Sequence, residues 1–262
     1  MAVSAEYLTQ LFGLEGDVAF ITGGGGAIGA ATAAAFARAG AAVVLADKAE
    51  DAAASVADAV KAIGGPALAI AMDVTQEDSV HAALERAVRE FGKVDILVNN
   101  AGINIRKPPH ELTLTDWATV MDVNLTGYFL CSRAVGPGMI ARRSGRIINV
   151  ASIMGYRGNP FTPNLVYNTS KGGVVNFTRT LAGEWAPHNV RVNGVAPTYL
   201  LTPLTQKMLS DPDFKRKVVE RTPMGRVGAP EDLAGAMLYL ASPASSLVTG
   251  HILAVDGGWL AW

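Results

Sequence analysis

Cysteine is almost missing from this chain. Cys131 is the only one in 262 residues, which rules out an internal disulfide and suits a reducing compartment, so a cytoplasmic setting is expected. An excess of one charge is missing too. The formal net charge is −1, and the densest basic cluster, Arg142, Arg143 and Arg146, reads as a solvated helix end, so no nucleic-acid partner is expected. No apolar run approaches the roughly 18 uncharged residues of a membrane span, which argues against a membrane partner. The start carries Glu6 and Glu15 without a basic segment followed by an apolar one, unlike a secretory signal. The four histidines, His81, His110, His188 and His251, are scattered without metal-ligand spacing, so no metal is expected.

What is present is rhythm. Half the residues are hydrophobic, and short β-branched runs alternate with longer helical stretches almost to the end. Strands are expected at Val18–Ile21, Ala42–Ala46, Ala67–Ala71, Ile96–Val98, Arg146–Val150, Val190–Val195 and His251–Val255. Helices are expected at Ile28–Ala39, Glu50–Ile63, Glu77–Phe91, Thr115–Ile140, Leu165–Trp185 and Pro230–Ala241. The strands are continuously apolar, as strands buried on both faces must be. Such alternation predicts an α/β fold: one doubly wound parallel sheet of about seven strands with helices on both faces, spanning 1–262 as a single domain. The segment 197–226, with Pro197, Pro203, Pro212 and Pro223, interrupts the rhythm. It leaves the sheet after a strand's C-terminal end, where ligands of such sheets bind, and reads as a lid; the alternative is a surface excursion with one or two helical turns.

The stretch Ile21-Thr-Gly-Gly-Gly-Gly-Ala-Ile-Gly29 follows the first strand and opens a helix. Glycines let the backbone come close to a ligand, and the helix N-terminus offers unpaired N–H groups and a positive dipole end. A dinucleotide pyrophosphate fits there, although glycine turns also serve packing alone. Asp47 follows the second strand, at the distance where an acidic side chain accepts from both ribose hydroxyls and repels a 2′-phosphate. NAD is therefore expected over NADP. Lys48 pulls the other way, and Asp47 with Glu50 could instead be a capping box for the next helix.

Tyr167 and Lys171 stand four residues apart on one helical face. A phenol near pKa 10 is a poor catalyst at neutral pH unless a neighbouring cation favours the phenolate; the alternative is a surface contact. Ser152 ends an apolar strand, where a hydroxyl can hold a substrate oxygen, and also suits an ordinary turn. No Gly-x-Ser-x-Gly surrounds it, which argues against a hydrolase nucleophile. Asn124 falls mid-helix by pattern, where asparagine is disfavoured and needs a partner such as a kinked backbone or a water.

Together these residues resemble the short-chain dehydrogenase/reductase family over almost the whole chain. Thr22, Gly23 and Gly29 match its glycine-loop signature, with Ala27 replacing the middle glycine. Asp73-Val74 is similar to its adenine-contacting step, and Asn99-Asn100-Ala101-Gly102 to its Asn-Asn-Ala-Gly signature. Asn124, Ser152, Tyr167 and Lys171 fall in order on its catalytic tetrad. Pro197 and Thr202 match the nicotinamide-contacting segment, with Thr198 where a glycine is usual. The resemblance implies a Rossmann-type fold and a cofactor site of Gly23, Gly25, Gly26, Ala27, Ile28, Gly29, Asp47, Asp73, Val74, Asn100, Ala101, Gly102, Tyr167, Lys171, Pro197, Thr198 and Thr202. It implies that Tyr167 is the general acid or base and that Ser152 holds the substrate oxygen. Lys171 would lower the Tyr167 pKa and bind the nicotinamide ribose, and Asn124 would anchor a proton-relay water. Position 26 is glycine where NADP-preferring relatives often carry a basic residue, a second pointer to NAD.

Leu11–Asp17 and Val255–Ala261 resemble the family's gluconate and deoxygluconate dehydrogenases, as do Asn104 and Arg106. Arg106 could pair with a substrate carboxylate or be a solvated loop residue. The expected reaction interconverts a secondary alcohol and a ketone on a polyol, sugar or sugar acid. The runner-up is a 3-oxoacyl thioester or general ketone reductase, for which Ile153, Met154, Tyr156, Phe161, Leu200 and Met208 would line an apolar pocket. A non-catalytic nicotinamide-binding regulator is a third reading, disfavoured because Tyr167 and Lys171 are both kept. The resemblance also implies a homotetramer built through the helices at Thr115–Ile140 and Leu165–Trp185 and the last strand, with the tail Trp259–Trp262 buried at a subunit contact.

Overall fold

The computed structural model describes residues 4–261. Seven strands, β1 (Val18–Thr22), β2 (Ala42–Asp47), β3 (Ala67–Ala71), β4 (Ile96–Asn99), β5 (Gly145–Val150), β6 (Val190–Pro197) and β7 (Ile252–Val255), form one sheet in the order β3-β2-β1-β4-β5-β6-β7. All pairings are parallel, with Ile21 facing Leu45 on one side and Val98 on the other. Side chains alternate across a strand, so β1 feeds two cores. Ala19 and Ile21 pack on one face with Phe36, Leu45 and Val98. Val18 and Phe20 pack on the other with Val44, Leu97, Met139 and Ile147. The expected doubly wound sheet is the observed one.

The helices are α1 (Ala5–Phe12), α2 (Ala27–Arg38), α3 (Glu50–Ala62), α4 (Glu77–Phe91), α5 (Leu114–Met121), α6 (Gly127–Arg142), α7 (Leu165–Trp185), α8 (Pro203–Leu209), α9 (Pro212–Arg221) and α10 (Ala234–Ala241). Three departures from the sequence reading have physical causes. Helix α1 has Tyr7, Leu8, Leu11 and Phe12 at helical spacing but is only eight residues long and buries none of its side chains, too short a run for its period to stand out in sequence. The stretch expected as one helix over Thr115–Ile140 is α5, a π-helical turn at Asp122–Thr126, and α6. Pro230–Leu233 is a 3-10 turn leading into α10, not part of an α-helix.

The tail is a correction. Trp259 is fully buried within its own chain, against Phe161 and Tyr199 at ring-centroid distances of 5.9 and 5.6 Å. The turn at Asp256 folds it back: the carboxylate accepts from the Gly258 and Leu260 N–H groups at 2.9 Å each. A subunit contact is not needed to cover this ring. Trp262 lies outside the described residues. Among the described residues no helix is long and apolar enough to cross a membrane.

Candidate active site

The chain crosses from β3 at the sheet edge to β4 in the middle, so β1 and β4 are neighbours whose following loops part in opposite directions. Ligands of doubly wound sheets bind in the crevice this creates. Here it is a cavity of about 690 Å³, walled by Gly23, Gly26, Ala27, Ile28, Val74 and Gly102 among others. Gly23 adopts φ +62°, which L side chains rarely adopt, and a Cβ there would come within 2.9 Å of the Ala101 Cα. A Cβ on Gly29 would meet the Gly23 carbonyl at 2.6 Å. Asn100 ties the turn to β4, donating from Nδ2 to the Thr22 and Gly23 carbonyls at 3.0 Å each. Gly26 caps α2 without any side-chain hydrogen bond, which leaves the first N–H groups of that helix to a ligand. A cradle of bare N–H groups, kept tight behind and open in front, fits a pyrophosphate. Gly25 is part of the turn, and its N–H donates to Asp47 at 3.0 Å.

At the far end, the capping-box reading of Asp47 does not hold. The residue capping α3 is Ala49, without a side-chain bond. The Asp47 carboxylate instead accepts from the Gly25 and Ala49 N–H groups at 3.0 Å each. Lys48 turns to Asp73, with Nζ 2.8 Å from the carboxylate. That hydrogen bond, outweighing partial burial and joined by bonds from Thr75, brings Asp73 down to about 2. Asp47, Lys48, Asp73 and Val74 all line the cavity.

Between these ends stand the four tetrad positions. Asn124 lies in the π turn and is fully buried. Its Oδ1 accepts from the Ile103 N–H at 2.8 Å, and its Nδ2 donates to the Ile103 carbonyl and to Ser170 Oγ at 3.0 Å each. The widened helical turn and these bonds account for an asparagine in mid-helix: its partner is the Asn-Asn-Ala-Gly loop. Gly102 of that loop faces Asn124 and Lys171, and a Cβ there would lie 3.5 Å from Asn124 Oδ1 and 3.7 Å from Lys171 Nζ. Ser152 caps a 3-10 turn at Ile153–Gly155, its Oγ accepting from the Met154 N–H at 3.1 Å.

The electrostatics differ from the simple Tyr–Lys reading. Burial lifts the Tyr167 phenol, while the hydrogen bond from Ser152 and then the Arg106 charge pull it down. Lys171 Nζ lies 5.8 Å from the Tyr167 ring centroid and donates to the Val150 carbonyl at 2.7 Å and to Tyr128 Oη at 3.3 Å. Burial lowers Lys171 to about 7. A lysine so desolvated is only partly charged near neutral pH, and the cation whose charge acts on Tyr167 is Arg106.

A smaller cavity of about 60 Å³ adjoins the tetrad, lined by Asn104, Arg106, Ser152, Met154, Tyr167, Thr198 and Met208 among others. Of the other substrate candidates, Leu200 lines the larger cavity with Pro197, Thr198 and Thr202. Tyr156 lines neither; the 3-10 turn carries it outward, and it is 41% exposed. Phe161 is also off the cavity wall, in the cluster around Trp259. The segment at 197–226 forms α8 and α9 and walls both cavities through Thr198, Leu204 and Thr205. Sequence reasoning missed Tyr199, Asn159 and Asn164 in the smaller cavity. No periodicity or motif singles out lone polar residues in loops.

The family model described as enoyl-(acyl carrier protein) reductase matches residues 25–260. The chain is 41% identical to 2-dehydro-3-deoxy-D-gluconate 5-dehydrogenase of Escherichia coli, over 97% of this chain and 99% of that protein. It is 43% identical to galactitol 2-dehydrogenase of Rhizobium johnstonii, covering 97% and 98%. The crystal structure of gluconate 5-dehydrogenase from Burkholderia cenocepacia, in complex with NADP and tartrate, superposes with a TM-score of 0.93 at 38% identity, covering 97% of this chain and 99% of that one.

Proposed function

Because this chain belongs to the short-chain dehydrogenase/reductase family and is thus a nicotinamide-dependent oxidoreductase, we propose that it interconverts a secondary alcohol and a ketone on a polyol, sugar or sugar acid. The observation carrying this reading is Arg106. It shares the small cavity with Ser152 and Tyr167 and has no carboxylate partner among the described residues. A guanidinium there is matched to a substrate carboxylate. Tartrate in the Burkholderia cenocepacia structure and the sugar-acid and polyol names of the relatives support the same class.

The nicotinamide cofactor supplies the hydride acceptor or donor, and the protein supplies distance, orientation and protons. The glycine turn Gly23, Gly25, Gly26 and Gly29, with Ala27 and Ile28, would hold the pyrophosphate. Asp73, Val74, Asn100, Ala101, Gly102, Pro197, Thr198 and Thr202, which line the same cavity, would hold the rest of the cofactor. Ser152 holds the substrate oxygen where charge develops. Tyr167 Oη gives that oxygen a proton in reduction and takes it in oxidation. Lys171 Nζ, at about 7, exchanges a proton near neutral pH and binds the nicotinamide ribose, while Asn124 holds the Asn-Asn-Ala-Gly loop beside it and anchors the relay water.

NAD is the favoured cofactor in this reading, since Asp47 stands at the ribose end and Lys48 is engaged by Asp73 at 2.8 Å. NADP in the Burkholderia cenocepacia structure marks the alternative. One steady-state panel tests both points: gluconate, polyols, acetoacetyl thioesters and aryl ketones, each with NAD and NADP. The expected result is a higher kcat/KM for polyhydroxy substrates and for NAD, with the NAD preference reduced in Asp47→Asn. Turnover confined to thioesters or aryl ketones overturns the substrate reading, and a preference for NADP overturns the cofactor one.

The assembly is a homotetramer in the same reading. Leu114, Trp117, Phe129 and Leu165 leave large apolar surface exposed on α5, α6 and α7, and β7 is an edge strand. Light scattering of the purified chain should give four times 27.3 kDa; the mass of one chain would count against it.

A further inference from the structure

Three asparagines beside the reacting hydroxyls form a chain of side-chain amides. Asn168 Nδ2 donates to the Arg157 carbonyl at 3.1 Å. Asn168 Oδ1 accepts from Asn164 Nδ2 at 2.9 Å. Asn164 Oδ1 in turn accepts from Asn104 Nδ2 at 2.6 Å. The two ends of an amide have the same shape and opposite hydrogen-bonding character, so a lone asparagine can face either way. This chain cannot. The Arg157 carbonyl only accepts, which fixes Asn168; Asn168 then fixes Asn164, and Asn164 fixes Asn104.

The consequence falls on Asn104. One N–H of its Nδ2 is spent on Asn164, which fixes the way the amide faces, and its Oδ1 is buried with no donor among the described residues. A buried acceptor without a donor bears its full desolvation penalty. Asn104 lines the small cavity together with Ser152, Tyr167 and Arg106. A group facing Asn104 therefore shares one small cavity with an oxygen held by Ser152 and Tyr167.

We propose that Asn104 Oδ1 is a specificity determinant that accepts a hydrogen bond from the substrate hydroxyl vicinal to the reacting carbon, with Asn164 and Asn168 as positioning residues that set its polarity. This rests on the polyhydroxy substrate reading above. The division of labour is chemical. Arg106 presents only donors and suits a carboxylate; Asn104 Oδ1 presents only an acceptor, disfavours a carboxylate and admits a hydroxyl. A substrate bearing both groups is thereby held in one orientation.

The test compares kcat/KM for cyclohexane-1,2-diol and cyclohexanol. The wild-type enzyme should favour the diol by about tenfold or more, the effect of satisfying a buried acceptor. Asn104→Leu should bring that ratio close to one. Asn168→Leu, which frees the chain to flip, should reduce the ratio several-fold while leaving cyclohexanol turnover little changed. Asn168→Asp should keep the ratio where its carboxyl is protonated, one oxygen donating to the Arg157 carbonyl and the other accepting from Asn164, and lose it as the carboxyl ionises. A merely structural role predicts equal losses on both substrates in all three variants. If the wild-type enzyme favours the diol and Asn104→Leu still does, the assignment is wrong and the substrate reading stands. If the wild-type enzyme shows no preference, both fall.

Discussion

Tyr167→Phe should bind the cofactor with nearly wild-type affinity and lose kcat by about 10²–10⁴-fold, the usual worth of a positioned general acid or base. The substitution removes one oxygen and leaves the ring in place on α7, so the cavity walls keep their shape. It removes the hydroxyl that accepts from Ser152 and passes a proton to the substrate oxygen. The direction of the Tyr167 shift sharpens the expectation. Burial opposes the phenolate and holds the phenol above its ordinary value, and Ser152 followed by Arg106 offsets part of that rise. Arg106→Leu should therefore move the alkaline side of the pH–rate profile upward even for a substrate without a carboxylate. Titration of the cofactor by fluorescence, beside single-turnover hydride transfer, separates binding from chemistry. Retained turnover in Tyr167→Phe would remove this residue from the mechanism.

The sheet was legible because its strands are buried on both faces and must be apolar throughout; observed strands differ from the expected ones by at most two residues at an end. The glycine turn was legible for a related reason. Gly23 needs a left-handed backbone and Gly29 sits 2.6 Å (by its absent Cβ) from a carbonyl, so few sequences can take their place. Tyr167 and Lys171 could be read as a pair from helical spacing, but not the charge state of Lys171, which depends on how deeply α7 buries it against Val150 and Tyr128. Asn124 looked misplaced in a helix, and that misfit was a true signal: the π turn exists where its amide grips Ile103. The acidic end was misread in part, since Asp47–Glu50 has the spacing of a capping box while Ala49 takes the cap. Tyr156 was misplaced because a three-residue 3-10 turn, which has no period to detect, decides which way it points. The asparagine chain was invisible for the same reason. Its members come from two separate loops and the start of α7, and only tertiary structure aligns their donors with acceptors.

Trp259→Ala should cost about 3–5 kcal/mol, the range for emptying a large aromatic from a core, and lower Tm by roughly 6–20 °C for a chain of this size. The ring is fully buried and meets Phe161 edge-on at 5.9 Å and Tyr199 tilted at 5.6 Å. Phe214 closes the group, 6.0 Å from Phe161 and 5.8 Å from Tyr199. Four rings from four separate segments depend on one another, and two of those segments, at Tyr199 and Phe214, build the wall formed by 197–226. The segment 197–226 walls both cavities. KM for substrate should therefore rise most, because Tyr199 lines the small cavity itself. Cofactor affinity should fall less, because the glycine turn keeps its own contacts. Trp259→Phe should recover much of the stability, because it keeps a ring in the cluster and the Trp259 Nε1 has no hydrogen-bond partner among the described residues to lose. A calorimetric scan beside light scattering decides between core and interface. An unchanged Tm with a reduced assembly mass would return this tryptophan to a subunit contact; a lowered Tm with unchanged mass at low temperature is the result expected of a residue that closes its own chain's core.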